Sequence, residues 1–151
     1  MDHCNEYDQN CIFCEIVQRK TDTEILQSDE ELCCFRDLVP GAKHHYLVVP
    51  NTHIVSCLSL RKEHVPLVKK MMEVGKAVLL KHNFTDLRDI RLGFHVPPFY
   101  SVPHLHLHVL APASEMDFRS LRNYGPQSFR FLTAEKLLKK LNSQKDQPSK
   151  P

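Results

Sequence analysis

The chain has 151 residues, of which 25% are charged and 42% are hydrophobic, and its formal net charge at pH 7 is +2. This length predicts one domain with its own core, and the balanced charge argues against a dedicated nucleic-acid binder, which would usually carry a basic face. No apolar run is long enough to span a bilayer, and the polar start of the chain does not resemble a secretory signal. We therefore expect a protein of the cytoplasm and nucleus with reduced cysteines and no membrane partner.

The first ordered element is expected at residues 11–17, after a disordered N-terminus at residues 1–9. Four apolar residues there recur at helical spacing and predict a short amphipathic helix: Ile12, Phe13, Ile16 and Val17. Cys11 and Cys14 stand in a Cys-x-x-Cys arrangement within the same segment. That arrangement is also a common half of a zinc site.

Two short strands follow, at residues 24–26 and 31–35, and a turn-prone Ser-Asp-Glu segment between them predicts a hairpin. A Pro-Gly pair then breaks the pattern, so residues 36–43 are expected to form a loop. The chain returns to a strand at residues 45–49, which Pro50 ends.

The longest periodic segment runs from residue 59 to residue 82 and predicts the main core helix. Its apolar stripe is the kind that packs a core far more often than it binds a cofactor. The stripe consists of Val65, Leu67, Val68, Met71, Met72, Val74, Val78 and Leu79.

Residues 89–95 are a strand candidate, and the proline-rich segment 96–103 cannot sit in a sheet ladder. A short basic amphipathic helix is expected at residues 133–141 with Thr133 as N-cap, and residues 142–151 are expected to be disordered. Strands, one long core helix, short flanking helices and hairpin-length links predict an α+β domain at residues 10–141. Its sheet should be mostly antiparallel.

The segment at residues 104–110, His-Leu-His-Leu-His-Val-Leu, differs most from ordinary packing. In a strand, His104, His106 and His108 would share one face, and the aliphatic residues would lie on the other. A row of imidazoles can be a solvated face, a pair of ligands for a metal ion, or the machinery for covalent or acid–base catalysis on an anion. Spacing alone leaves these three interpretations open.

Four segments, in this order along the chain, resemble the histidine triad superfamily of nucleotide hydrolases and transferases: residues 11–14, 44–50, 93–95 and 104–112. The resemblance covers residues 10 to 140 and implies the histidine triad fold. It also implies a homodimer, for which the long helix and the strand near Arg91 are the candidate interfaces.

In this superfamily the middle histidine attacks the α-phosphorus of a nucleotide, and water then cleaves the nucleotidyl-imidazole. By position the nucleophile would be His106, and the implied reaction is hydrolysis of P–N bonds in adenosine 5′-phosphoramidates, and of acyl-adenylates, to AMP. A neutral imidazole is nucleophilic near pH 7. The other ring nitrogen of His106 would need an acceptor, such as the carbonyl of His104.

The resemblance also assigns side chains around that nucleophile. His45 and His108 would contact the phosphate, Ser101 would assist the leaving amine, and His104 would complete the catalytic triad. Asp37 would hold the ribose hydroxyls. A purine nucleotide would also need an apolar slot, although core packing would explain the same residues: Ile12, Phe13, Ile16, Phe35, Leu38 and Leu47.

Zinc-containing members of the superfamily bind the ion with a Cys-x-x-Cys pair, a histidine after a Pro-x-x-His turn and the first triad histidine. The matching positions here are Cys11, Cys14, His53 and His104. Such a zinc ion would be structural, and catalysis would need no cofactor. Members without the metal also work and Cys14 could equally be a buried thiol, so both states are left open.

Alternative functions follow from departures in the pattern. Phe99-Tyr100 stands where many members carry Gly-Gln before the serine, which argues against dinucleoside polyphosphates as substrates. Gly93-Phe94-His95 resembles the DNA-end repair branch, but no cysteine follows Cys57 to build that branch's zinc module. DNA-adenylate hydrolysis is therefore the weaker alternative. Two further alternatives remain. One is a nucleotide-sensing scaffold with incidental hydrolysis, and the other is a zinc hydrolase that uses all three histidines as ligands.

Overall fold

The computed structural model describes residue 8 and residues 10–144 of the chain. The expected disorder of residues 1–9 and 142–151 lies outside the described residues, apart from residue 8 and the three residues at which the last helix ends. Among the described residues, no helix is both long enough and apolar enough to cross a membrane.

A six-stranded antiparallel sheet forms the centre of the fold. The strands are β1 (Ile25–Ser28), β2 (Leu32–Arg36), β3 (His44–Pro50), β4 (Arg91–His95), β5 (Leu107–Ala111) and β6 (Phe131–Thr133). The helices are α1 (Ile12–Val17), α2 (Val65–Lys81), α3 (Phe118–Tyr124) and α4 (Ala134–Asn142). The spatial order of the strands is β1-β2-β3-β5-β4-β6. This is the α+β architecture that the sequence predicts.

Helices cover both faces of the sheet. In β2, Leu32 and Cys34 belong to the core that α2 and α4 share with the sheet, whereas Cys33 and Phe35 belong to a second core under α1. Side chains in a strand alternate between faces, so a strand buried on both sides becomes apolar throughout. Each fully buried leucine or phenylalanine contributes about 2 kcal/mol to the free energy of unfolding.

The long core helix α2 begins at Val65, later than the periodicity predicts. Two short 3-10 turns, at Cys57–Ser59 and Lys62–His64, precede it. Pro66 lies in the first turn of α2. A proline ring collides with the carbonyl four residues earlier in an α-helix, so the helix cannot extend back through this position.

The triad strand β5 begins at Leu107, whereas the pattern predicts a strand from residue 104. Val48 of β3 pairs with Leu107, and the same register would bring Pro50 opposite Leu105. Proline has no N–H to donate to the ladder, and the N–H of Leu105 donates instead to the carbonyl of Ile54. The first two triad histidines therefore lie in the extended approach to the strand.

The segment after residue 112 contains two elements that the sequence pattern does not predict, α3 and β6. Strand β6 pairs with β4, with Gly93 opposite Thr133 and His95 opposite Phe131. Strand β4 is consequently an interior strand. Within the described residues this pairing covers residues 93–95 of β4 and does not extend to Arg91, so the strand near Arg91 stays a candidate for a dimer contact.

Candidate active site

The three triad histidines are almost completely buried. His104, His106 and His108 have exposed fractions of 0%, 8% and 4%, while Leu105 and Leu107 on the opposite side lie in the core under α2. The alternation of faces is thus as the sequence predicts. The interpretation of the row as a solvated strand face is excluded, because the side chains of such a face would be exposed to water and these three are buried.

His106 is held in one tautomer. Its Nδ1 lies 2.7 Å from the carbonyl oxygen of His104, so Nδ1–H donates to that oxygen and Nε2 carries a lone pair. Burial lowers the pKa of His106 below its ordinary value, which keeps the ring neutral near pH 7. The ring of Phe13 packs edge-on against it with centroids 5.1 Å apart. The arrangement suits a nucleophile.

A second chain of hydrogen bonds fixes the protons of His45 and His108. The N–H of Gly41 donates to His45 Nδ1 at 2.8 Å, so the proton of neutral His45 is on Nε2. That Nε2 lies 2.9 Å from His108 Nδ1 and 3.3 Å from Asp37 Oδ2. His108 Nδ1 is therefore an acceptor, and its proton is on Nε2. Among the described residues, His108 Nε2 is buried without a hydrogen-bond partner.

Burial governs the charges of this group. It lowers the pKa of His45 to about 3 and that of His108 well below its ordinary value. It raises the pKa of the Asp37 carboxyl, although the N–H of Val39 donates to Oδ1 at 2.8 Å and opposes the rise. The site is thus poor in fixed positive charge and offers neutral N–H donors to an anion.

A cavity of about 480 Å³ opens over these groups. Ten of the residues proposed from the sequence line it: Ile12, Phe13, Ile16, Phe35, Asp37, Leu38, Leu47, Ser101, His106 and His108. Leu38 is 94% exposed and lies at the rim. His45 stands behind His108 instead of on the cavity wall. His104 faces away from the cavity, toward the two cysteines of the first helix.

Sequence reasoning missed one wall of the cavity. That wall is formed by His95, Phe99, Asn123 and Tyr124. His95 donates from Nε2 to the carbonyl of Asn123 at 2.9 Å, and its ring centroid lies 4.7 Å from that of His108. Asp117 is the N-cap of α3, because its Oδ1 accepts from the N–H of Ser120 at 2.9 Å. An aspartate at this position could have predicted the start of the helix. Nothing local indicated that this helix would reach the site.

The four residues proposed for zinc lie together. The potential ligand atoms of Cys11, Cys14, His53 and His104 are within 4.8 Å of one another and buried. Sulfur-to-nitrogen distances are 3.1 Å, 3.4 Å and 3.6 Å, and tetrahedral zinc separates such ligands by roughly 3.5 Å. His104 Nε2 donates to the carbonyl of Pro50 at 2.9 Å, which leaves Nδ1 free to ligate. This donor set fits a structural zinc ion.

Asp37, His45 and His108 also bring possible ligand atoms within 4.8 Å of one another. The N–H of Gly41 occupies the Nδ1 lone pair of His45, so the Nε2 that faces the others carries a proton and cannot ligate. Among the described residues, the metal-capable groups contain His104 or His108 but not His106. The structure therefore gives no support to the alternative of a zinc hydrolase that uses all three triad histidines as ligands.

Comparison with known proteins gives consistent matches. The family described as scavenger mRNA decapping enzyme C-term binding matches residues 10–123. The chain is 53% identical over 140 residues to adenosine 5′-monophosphoramidase HINT3 of Xenopus tropicalis, covering 92% of each protein. It is 48% identical over 137 residues to HINT3 of Mus musculus, covering 89% of this chain and 83% of that protein. A histidine triad protein structure from Clostridium difficile has 28% identity and a TM-score of 0.62, covering 68% of this chain and 90% of that one.

Proposed function

The chain belongs to the histidine triad family, and on that premise we propose that it is a phosphoramidase, which hydrolyses P–N bonds of adenosine 5′-phosphoramidates, and also acyl-adenylates, to AMP. The observation that carries the proposal is His106, which lines the cavity and whose Nδ1–H donates to the His104 carbonyl, so that its Nε2 carries the lone pair. Relatives 53% and 48% identical to this chain carry the name adenosine 5′-monophosphoramidase.

The cavity accommodates a nucleotide from one end to the other. The purine would lie on the apolar wall formed by α1 and β2, and the ribose hydroxyls would bind Asp37. The α-phosphate would then lie over His106, with the free Nε2–H of His108 donating to one of its oxygens. Ser101, exposed at the mouth of the cavity, lies on the side from which the amine would depart.

The reaction proceeds in two displacements. His106 Nε2 attacks the α-phosphorus, the P–N bond breaks, and the amine leaves with a proton that reaches it from solvent by way of Ser101. The Nδ1–H to the His104 carbonyl keeps the nucleotidyl-imidazole cationic and therefore a good leaving group. Water then attacks the same phosphorus, the bond from phosphorus to His106 Nε2 breaks, and AMP departs; the proton that the water loses returns to solvent, and His106 is regenerated neutral. Positioning and N–H donors supply most of the catalysis that phosphoryl transfer needs.

The zinc ion belongs to the proposal as a structural element. When bound, it would cross-link α1 to the approach of the triad strand through Cys11, Cys14, His53 and His104. The chemical steps use the side chains of the cavity and need no cofactor.

Assembly and location complete the proposal. The homodimer would use the long helix α2 or the strand near Arg91, because β6 pairs only with residues 93–95 of β4. Light scattering of the purified protein tests this. The five cysteines within residues 10–144 are buried free thiols, which suits a reducing compartment and supports a location in cytoplasm and nucleus. Imaging of a fluorescent fusion tests the location.

The decisive experiment compares wild type with His106→Ala on adenosine phosphoramidate, with the zinc content of each sample determined. We expect loss of turnover at unchanged zinc content, and mass spectrometry of a rapidly quenched wild-type reaction should show a nucleotidyl adduct on His106. Full turnover by His106→Ala would contradict the mechanism. If His106→Ala rescued a cellular phenotype of the null mutant, the scaffold alternative would be favoured.

A further inference from the structure

Tyr124, the last residue of α3, packs among three imidazoles of the site. Its ring centroid lies 5.2 Å from that of His45, 4.9 Å from that of His95 and 5.1 Å from that of His108. A Cβ placed on Gly41 would come within 2.8 Å of Tyr124 Cε2. Gly41 therefore makes room for this ring and also donates the N–H that sets the tautomer of His45.

The helix that carries Tyr124 is tied to the sheet by polar contacts. Ser120 Oγ donates to the carbonyl of Gly41 at 2.6 Å, and His95 Nε2 donates to the carbonyl of Asn123 at 2.9 Å. The side-chain oxygen of Asn123 accepts from Arg130 Nη1 at 3.0 Å. These contacts hold the ring of Tyr124 in one position before any ligand binds, as a preorganised site requires.

The hydroxyl of Tyr124 is not used by the fold. Within residues 10–144 it has no hydrogen-bond partner, yet the residue lines the cavity. Burial, with a smaller contribution from the charge of Asp37, raises the pKa of Tyr124 to about 12, so the hydroxyl keeps its proton. The oxygen is not among the buried polar atoms of the described residues that lack a partner, so solvent in the cavity reaches it. The hydroxyl is therefore a donor that awaits a ligand.

We infer that Tyr124 is a further catalytic residue, whose hydroxyl donates a hydrogen bond to a non-bridging oxygen of the transferred phosphate beside the Nε2–H of His108. This inference rests on the proposed phosphoramidase function. The two non-bridging oxygens on the α-phosphorus carry the charge of the transition state, because the third equatorial oxygen is esterified to the ribose. Two neutral donors on one wall stabilise that charge in a site where burial keeps the histidines uncharged.

The test compares Tyr124→Phe, which deletes the hydroxyl and keeps the ring, with wild type on adenosine phosphoramidate. We expect kcat to fall by about a hundredfold to a thousandfold with little change in KM, as for the loss of one oxyanion donor. Tyr46→Phe is the matched control, because its hydroxyl pairs with His44 Nδ1 at 2.8 Å within the α2 side of the molecule. We expect wild-type kcat from that control.

A second readout separates contact with phosphate from packing. The two diastereomers of the phosphorothioate analogue replace one or the other non-bridging oxygen, and Tyr124→Phe should change their rate ratio several-fold. An unchanged ratio, or a fully active Tyr124→Phe beside an inactive Tyr124→Leu, would show that only the ring matters and would overturn the inference. If the inference about Tyr124 is overturned while His106→Ala is inactive in the same assay, the proposed function still stands. An active His106→Ala would contradict the proposed function itself.

Discussion

Acid should destabilise this protein through the buried imidazoles, and His45 allows the size of the effect to be worked out. Burial lowers its pKa from 6.5 to about 3. The unfolded state then binds more protons than the folded state, so the stability that neutral His45 contributes is complete above pH 6.5 and is lost as the pH falls toward 3. Linkage gives a loss of about 2 kcal/mol between pH 7.5 and pH 5. That figure changes little if the folded pKa is one unit higher.

Urea unfolding at these two pH values, for wild type and His45→Gln, measures the effect. Glutamine keeps an acceptor for the N–H of Gly41 but has no titrating ring. We expect the free energy of unfolding of His45→Gln to depend less on pH than that of wild type by about 2 kcal/mol. Asp37 opposes the trend, because its raised pKa adds stability as the pH falls. Equal pH dependence in the two proteins would refute the assignment of His45 as a buried neutral imidazole.

Three further predictions concern packing and metal. Leu107→Ala, at a fully buried position, should lower the free energy of unfolding by about 3 kcal/mol. The control Leu80→Ala, at a position that is 47% exposed, should change it by less than about 1 kcal/mol. Chemical denaturation measures both free energies. In Gly75→Ala the new Cβ would lie 2.6 Å from Val109 Cγ2, so we expect destabilisation by about 1–3 kcal/mol despite the better helix propensity of alanine, and rescue by Val109→Ala. Removal of zinc, by a chelator or by Cys14→Ser, should lower the thermal unfolding midpoint. The metal-free protein that remains folded should keep its kcat, and a kcat that follows the zinc content would contradict the structural role.

Much of the candidate site was readable because its signals are local. Alternation placed the triad histidines on one face and the leucines on the other, and the carbonyl of His104 was foreseen as the partner of His106. A partner two residues away along an extended chain is within reach without any tertiary contact. The α2 stripe was equally readable, because helical periodicity is a local property.

The start of the triad strand was not readable from the same alternation. Whether residues 104–106 join the sheet depends on the neighbouring strand β3. Pro50 at the end of β3 has no N–H to donate to them. The wall that contains Tyr124 was also missed. Its helix is only seven residues long, and short helices owe their stability mainly to packing, not to propensity.

The sequence by itself determined the family and the α+β class, because both follow from residue type and local pattern, and the resemblance to the family then supplied the candidate nucleophile and the four candidate zinc ligands. Tertiary structure alone decided which nitrogen of His45 and His108 carries a proton, since Gly41 sets it from a different loop. It also decided that β6 pairs with residues 93–95 of β4 and that Tyr124 lines the cavity. Those outcomes depend on contacts between residues far apart in the chain, and the pattern of a single segment does not specify such contacts.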